Sequence, residues 1–427
     1  MTTLPPAANP SPWRWALLGL ALFVAPVPAA PPADRAATAD GSFAWTPYFS
    51  AELYGGQSIF SGDSQSPVNG PNGSVLFVPA FRWGPRLTVL PSFSVDYRQT
   101  RDVQELIGGG FLTQEQSKQT GALKAVWALS DRWKIKGYGS FRQELVKETS
   151  DEKWGHGLFD YRKTVGGLEL ERAGALFRSL RAGADMYWVA FPNFDSLSAD
   201  AEQFGGEINT GTRVLDYRGL DGTLAGDLLL SPRTSVSASL AASDRRFGDQ
   251  NLVQVDGSYA PTRRRDLFLF ASAALRRQLP SRDFRWASVD SVAGVDLSAG
   301  WLNSNQNHYD TDRTIFNDDY YDYVELGVGP RLSLRFNQKL TVGLGVAWSR
   351  RRYGRRPVQD VDGSYLSGNV TTTSWTYRLS LGYPLMDHLD AVLTGAYQDA
   401  SSNMKYESVY RYNYSSASYF GGLSLKI

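Results

Sequence analysis

Three features of the sequence predict an all-β fold, namely a transmembrane antiparallel up-and-down β-barrel of about sixteen strands. Apolar and polar residues alternate with a period of two, short turns alternate with long polar connections, and tryptophans gather in two bands on the apolar side. The stretch RLSLRFNQKLTVGLGVAW (331–348) shows the repeating unit. Leu332, Leu334 and Phe336 alternate with Arg331, Ser333 and Arg335; beyond a tight turn, Leu340, Val342, Leu344, Val346 and Trp348 alternate with Thr341, Gly343, Gly345 and Ala347. That is a hairpin with one apolar and one polar face. No 3.6-residue periodicity follows Gly41, so no amphipathic helix is predicted to cover the apolar face.

Along the chain, WRWALLGLALFVAPVPAA (13–30) carries one positive charge at Arg14, an apolar run from Ala16 to Val24, and small residues suited to cleavage after Ala29. Residues 1–29 therefore read as a secretory signal peptide, the apolar run being shorter than the ~20 residues of a spanning helix. Residues 30–42 follow as a flexible periplasmic leader, and 43–427 as one barrel domain.

Within that domain WTPYFSAEL (45–53), LTVLPSFSVDY (87–97), WKIKGYGSF (133–141), VSASLAA (236–242), VAGVDLSAGW (292–301), YVELGVG (323–329), WTYRLSLGY (375–383) and YFGGLSLKI (419–427) each set large apolar groups on one face and small, polar or charged groups on the other. Short turns are expected at 83–86, 129–133, 171–176, 230–234, 279–283, 336–340 and 384–388. Longer connections are expected at 55–72, 100–116, 148–158, 191–210, 248–263, 304–319, 354–368 and 401–408. LVQVDGSY (252–259) resembles a strand, but a full crossing there would leave the last strand on the wrong side; it is assigned to an extension inside an external loop.

An apolar face with no helix over it meets either a second sheet or lipid. Tryptophan decides. Trp45, Trp83, Trp127 and Trp133 fall on that face near the short turns, and Trp188, Trp301, Trp348 and Trp375 on the same face near the long connections. A packed core has no need of two bands, whereas the two interfaces of a bilayer do.

The final strand YFGGLSLKI, with Tyr419, Leu423, Leu425 and Ile427 on one face, resembles the terminal strand by which outer-membrane barrels are recognised for assembly, although Ile427 stands where Phe or Trp is usual. Taken whole, the sequence resembles Gram-negative outer-membrane β-barrel proteins of the porin type. The resemblance implies outer-membrane lipid, lipopolysaccharide and the barrel assembly machinery as partners, an outer-membrane location, and the possibility of a homo-oligomer.

Composition narrows the function. A net charge of +1 gives no electrostatic footprint for nucleic acid, so none is expected as a partner; the absence of cysteine excludes disulfides, thiolate metal sites and a thiol nucleophile. His156 and His388 read as solvated loop residues. His308, in NSNQNHYDTDRTIFNDDYYDY (303–323), has Asp310, Asp312, Asp318 and Asp319 nearby, but Asn- and Asp-rich loops are ordinarily solvated turns. DVDGSY (360–365) lacks the later ligands and closing Glu of an EF-hand and reads as an Asp-Gly turn. No catalytic residue, metal site or cofactor is expected, and the chain is not expected to be an enzyme.

The remaining chemistry is the polar face itself. Lys134, Lys136, Arg142, Asp227, Asp296, Glu325, Arg331, Arg335 and Arg378 are expected to line the pore, together with Glu52, Asp96, Glu169, Glu171 and Asp185. These charges either create a field across the lumen or pair between strands. YYDY (320–323) and YRYNY (410–414) are assigned to the external aromatic girdle in preference to a sugar path, and 191–210 to a constriction loop. About sixteen strands bound an aqueous channel, so passive diffusion of small hydrophilic solutes is the leading expectation. Export of a polysaccharide or other polymer, and a plugged structural or binding barrel, are the alternatives.

Overall fold

The computed structural model describes residues 43–60, 68–106, 110–147, 152–174, 177–194, 213–309, 315–407 and 412–427. The signal peptide and leader expected over 1–42 lie outside the described residues.

The chain forms β1 (Phe43–Phe60), β2 (Val68–Trp83), β3 (Leu87–Leu106), β4 (Gly110–Ala128), β5 (Trp133–Lys147), β6 (Tyr161–Arg172), β7 (Phe177–Ala190), β8 (Tyr217–Ser231), β9 (Thr234–Val253), β10 (Tyr259–Asp283) and β11 (Ser288–Ser304). It continues through the two-residue β12 (His308–Tyr309) and β13 (Phe316–Asn317) to β14 (Tyr323–Phe336), β15 (Leu340–Gln359), β16 (Tyr365–Met386), β17 (Leu389–Ser402) and β18 (Tyr414–Lys426). Sixteen strands pair antiparallel with their chain neighbours and close into a barrel; β12 and β13 form a separate small ribbon in the β11–β14 connection. No helix occurs among the described residues.

Closure is made by β1 and β18, in register from Ser50↔Lys426 to Phe60↔Ser416. Ile427 and Phe49 exchange backbone hydrogen bonds of 2.8 and 2.9 Å beyond the last pair. Every strand edge is thereby satisfied, which an apolar surround demands. The seam is tight at Gly56 and Gly422, where a Cβ would overlap the backbone of Tyr419–Phe420 and of Leu53–Tyr54 respectively.

The large apolar residues point outward. Leu168 is 62% exposed, Leu240 57% and Leu326 52%, all mid-strand. A cluster of buried apolar residues, Tyr353, Val358, Val370 and Met404, lies instead where β15, β16 and the β17–β18 connection meet at the long-connection end. All eight tryptophans expected in the girdles share the outward parity: Trp45 and Trp83 with Phe81, Trp127 with Ile135, Trp188 with Met186, and Trp348 directly opposite Trp375. Trp133 and Trp301 share the parity of Ile135 and Leu297 on their own strands.

One expected turn moves, and the loop extension expected at 252–259 is found. The turn expected at 279–283 lies at 284–287, because β10 runs on to Asp283 through a bulge between Leu279 and Arg282. Pro280, which has no N–H to donate, fits inside that bulge and does not end the strand. LVQVDGSY (252–259) is the tip of a β9–β10 ribbon that continues past the barrel, with Tyr259 opposite Val253 and Gly257 at φ 80° in the turn.

Candidate functional site on the inner wall

Strand parity decides which charges face the lumen. On β5 the outward Trp133 and Ile135 leave Lys134, Lys136, Tyr138, Arg142 and Glu144 on the opposite side. The same rule puts Asp227, Asp296, Glu325, Arg331, Arg335 and Arg378 on the inward face: Arg331 is opposite Gly294 and Gly345, Glu325 opposite Gly300 and Arg351, and Arg378 opposite Gly345 and Ala396.

Several inward carboxylates are engaged by cations of adjacent strands, whereas Asp185 and Asp221 stand opposite each other with no ion pair among the described residues. Lys136 Nζ contacts Glu169 at 2.5 Å and also Glu171 of β6. Asp227 pairs with Arg181 at 3.2 Å and accepts hydrogen bonds from Ser179 and Ser237 at 2.8 and 2.7 Å. Asp296 Oδ1 is shared by Arg276 of β10 and by Arg331 of β14 at 3.0 Å. Glu325 accepts from Arg351 Nη2 at 2.6 Å, and Asp96 pairs with Lys118 at 3.4 Å. Asp185 accepts the Tyr138 hydroxyl, whose ring lies over Gly167 where a Cβ would collide with it. Arg335, at the barrel's short-turn end, donates from Nε to the Gln338 carbonyl at 3.2 Å. In the lower and middle wall the charges therefore form a ladder of pairs between neighbouring strands.

Toward the long connections the wall becomes aromatic and cationic. Lys163 Nζ sits 4.2 Å above the Tyr187 ring, and Tyr187 shares a 3.1 Å hydrogen bond with Ser243. Tyr217 packs against Tyr187 at 6.1 Å and Phe247 at 5.2 Å, and the Arg264 guanidinium covers Phe247 at 4.5 Å. Across β14 and β15, Arg351 lies 4.1 Å above Tyr323, which packs edge-on to Tyr353. Arg356 is surrounded by the rings of Tyr320, Tyr353 and Tyr412 at 4.7, 5.1 and 5.5 Å and donates to the Tyr412 hydroxyl.

Tyr320, Tyr323 and Tyr412 therefore turn toward arginines and not, as expected, outward into the girdle. A buried guanidinium beside an aromatic face is held more strongly than a ring in an interface already crowded with tryptophan. Sequence reading missed Lys163, Arg264, Arg351 and Arg356, because each has an aromatic partner on another strand or connection, Tyr187, Phe247, Tyr323 and Tyr412 respectively.

The other candidates take ordinary places. His308 stacks on Tyr320 at 4.2 Å, while Asp318 and Asp319 pair with Arg355; Asp310 and Asp312 lie outside the described residues. His156 caps a turn through its backbone N–H to Lys153, and the His388 carbonyl accepts from Lys426 at the opposite end. In DVDGSY the Asp362 carboxylate accepts from Ser364 N and Oγ at 3.0 and 2.6 Å around Gly363 at φ 85°, and Asp360 pairs with Lys405. The same turn recurs at 255–259, where Asp256 caps Ser258. The expected constriction loop is described only as far as Phe194. Asn193 there bridges the Gly155 and Gly157 carbonyls and Asp160. Among groups in these connections, burial pushes the Asp322 carboxyl up, although Ser304 N and Asn303 Nδ2 donate to it at 2.6 and 2.9 Å.

No protein family matches the chain, and no curated protein matches it in sequence. Among solved structures it is similar to the outer-membrane protein OmpT of Vibrio cholerae (9% identity, 90% of this chain and 100% of that one, TM-score 0.43). It is also similar to OccD3 of Pseudomonas aeruginosa (7%, 89% and 91%, TM-score 0.46) and an anion-selective porin from Comamonas acidovorans (11%, 90% and 100%, TM-score 0.36). At these identities the likeness concerns the fold alone.

Proposed function

We propose that this protein is an outer-membrane channel for the passive, non-catalytic diffusion of small hydrophilic solutes. The observation that carries the reading is closure at sixteen strands around a wall of ion pairs and hydroxyls. Barrels of about eight strands are filled by their own side chains, whereas about sixteen enclose an aqueous passage. Since Asp227, Asp296 and Glu325 are matched by neighbouring cations, selectivity follows the remaining basic groups and favours anions modestly.

The test is single-channel conductance of the refolded protein, lacking residues 1–29, in a planar bilayer. Stepwise openings with a small anion preference are expected; a folded but silent barrel would overturn the reading. The arc of tyrosines and arginines at the long-connection end favours a second reading, passage of a polymer whose sugar rings stack on those side chains. Transient blockade by acidic oligosaccharides but not by simple salts of the same charge would favour it.

A further inference from the structure

The outward surface carries a row of charge that conduction does not use. On four adjacent strands Trp188, Arg218, Arg246 and Arg265 stand directly opposite one another, Trp188↔Arg218↔Arg246↔Arg265. All four have outward parity: one ladder step toward the membrane centre the same faces carry Met186, Leu220, Asp244 and Leu267. Trp188 is 47% exposed, and the Arg246 and Arg265 side chains are 58% and 57% exposed.

Three arginines in direct cross-strand register repel one another, since like charges placed opposite are destabilising in a sheet. One carboxylate offsets them. Asp244 binds Arg246 at 2.9 Å and Arg265 at 2.6 Å, whereas Arg218 makes no ion pair among the described residues. Asp216, the next carboxylate beside the row, accepts from the Phe191 amide at 2.7 Å. A rim depression of about 740 Å³ touches both faces of these strands, being lined by the row and by the inward Tyr217, Phe247 and Arg264. Elsewhere on the same rim the outward Arg350 and Arg352 face Leu326 and Val324 on one side and threonines on the other, so they lack the arginine-on-arginine register of this row.

We propose that this row binds the phosphate groups of lipopolysaccharide in the outer leaflet. The occupant follows from three observations. The row lies at the long-connection end, which in such barrels is external. It faces away from the lumen, beside a girdle tryptophan and directly above the exposed Met186 and Leu220, with Leu269 one step further down, against which acyl chains would lie. Its surplus of guanidinium groups, each with planar paired donors, matches the oxygens of a phosphate monoester. A bound phosphate also removes the repulsion within the row. The inference rests on the outer-membrane reading but not on conduction.

Detergent-solubilised barrels are incubated with lipopolysaccharide, or with the same lipid after enzymatic removal of its phosphates, and retained lipid per barrel is counted by native mass spectrometry. The wild type should retain the phosphorylated lipid and hold the dephosphorylated form no better than the Arg218→Gln, Arg246→Gln, Arg265→Gln triple variant does. About fivefold weaker retention is expected for each single replacement and roughly a hundredfold for the triple. Folding is followed by the heat-dependent gel shift of the intact barrel, and the three single variants carry the test if the triple does not fold. Equal retention by wild type and variants, or of the two lipids, would overturn the proposal. Complete displacement of the lipid by millimolar inorganic phosphate would also do so, assigning the row to a free anion. Conductance is recorded separately, so a silent barrel that retains lipid refutes only the channel reading.

Discussion

Arg356 fastens three segments that are remote in sequence, and replacing it should release one of them. Its guanidinium touches Tyr320 of the β11–β14 connection, Tyr353 of its own strand and Tyr412 before β18, at 4.7, 5.1 and 5.5 Å. A desolvated cation–π contact contributes about 2 kcal/mol and a hydrogen bond from a charged donor about 1.5–3 kcal/mol. One cation serves all of these contacts, so they do not add; roughly 3 kcal/mol for the whole cage is the magnitude at stake in Arg356→Gln. That corresponds to about a hundredfold change in the equilibrium between docked and undocked connection. The two connections should respond unequally. Tyr412 also packs on the buried cluster of Val358, Val370 and Met404, whereas Tyr320 stacks on His308 and meets Tyr321 edge-on within its own connection. Limited chymotrypsin digestion of the folded barrel should therefore cleave after Tyr320 and Tyr321 about a hundredfold faster in the variant, with a smaller increase after Tyr412. Arg356→Lys, which keeps the cation, should fall between. Unchanged cleavage at Tyr320 in Arg356→Gln would refute the view that this cage holds the connection down.

Arg331→Glu turns the Asp296 site from two cations around one carboxylate into one cation between two carboxylates, so the reversal potential in a salt gradient should move toward cation selectivity; Arg335→Glu should act in the same direction. Gly56→Ala places a Cβ against the Tyr419–Phe420 backbone and should weaken barrel closure by about 1–3 kcal/mol, lowering the denaturant midpoint and refolding yield, whereas Gly55→Ala, which meets nothing within 4 Å, should leave both unchanged. Burial raises the Asp322 pKa, so its protonated form is favoured on folding. The stability this contributes is fully present below the unfolded carboxylate pKa of about 4 and is lost as pH rises through the higher folded value. The difference in stability between wild type and Asp322→Asn, which stays neutral throughout, should shift against the wild type as the pH is raised through that window. Thermal unfolding from acid to neutral pH tests this, and a constant difference would refute it.

The period-two alternation by itself determined the strands, their two faces and the side on which each charge stands. Leu332, Leu334 and Phe336 and the eight girdle tryptophans share one parity because a lipid-facing surface tolerates little else, and Arg331, Arg335 and Arg378 share the other. The even strand number also followed from the chain, since the short turns and long connections must each return it to the correct side. Partners were another matter. Asp296 meets Arg276 and Arg331 only because β10, β11 and β14 are neighbours in one register. Pro280 looks like a turn residue until the sheet shows it inside a bulge. Tyr320 and Tyr412 resemble girdle residues until the connections fold and bring Arg356 between them. Parity is local, fixed by the geometry of successive residues in a strand. Which groups meet across strands and connections depends on barrel closure, and closure is a property of the whole chain.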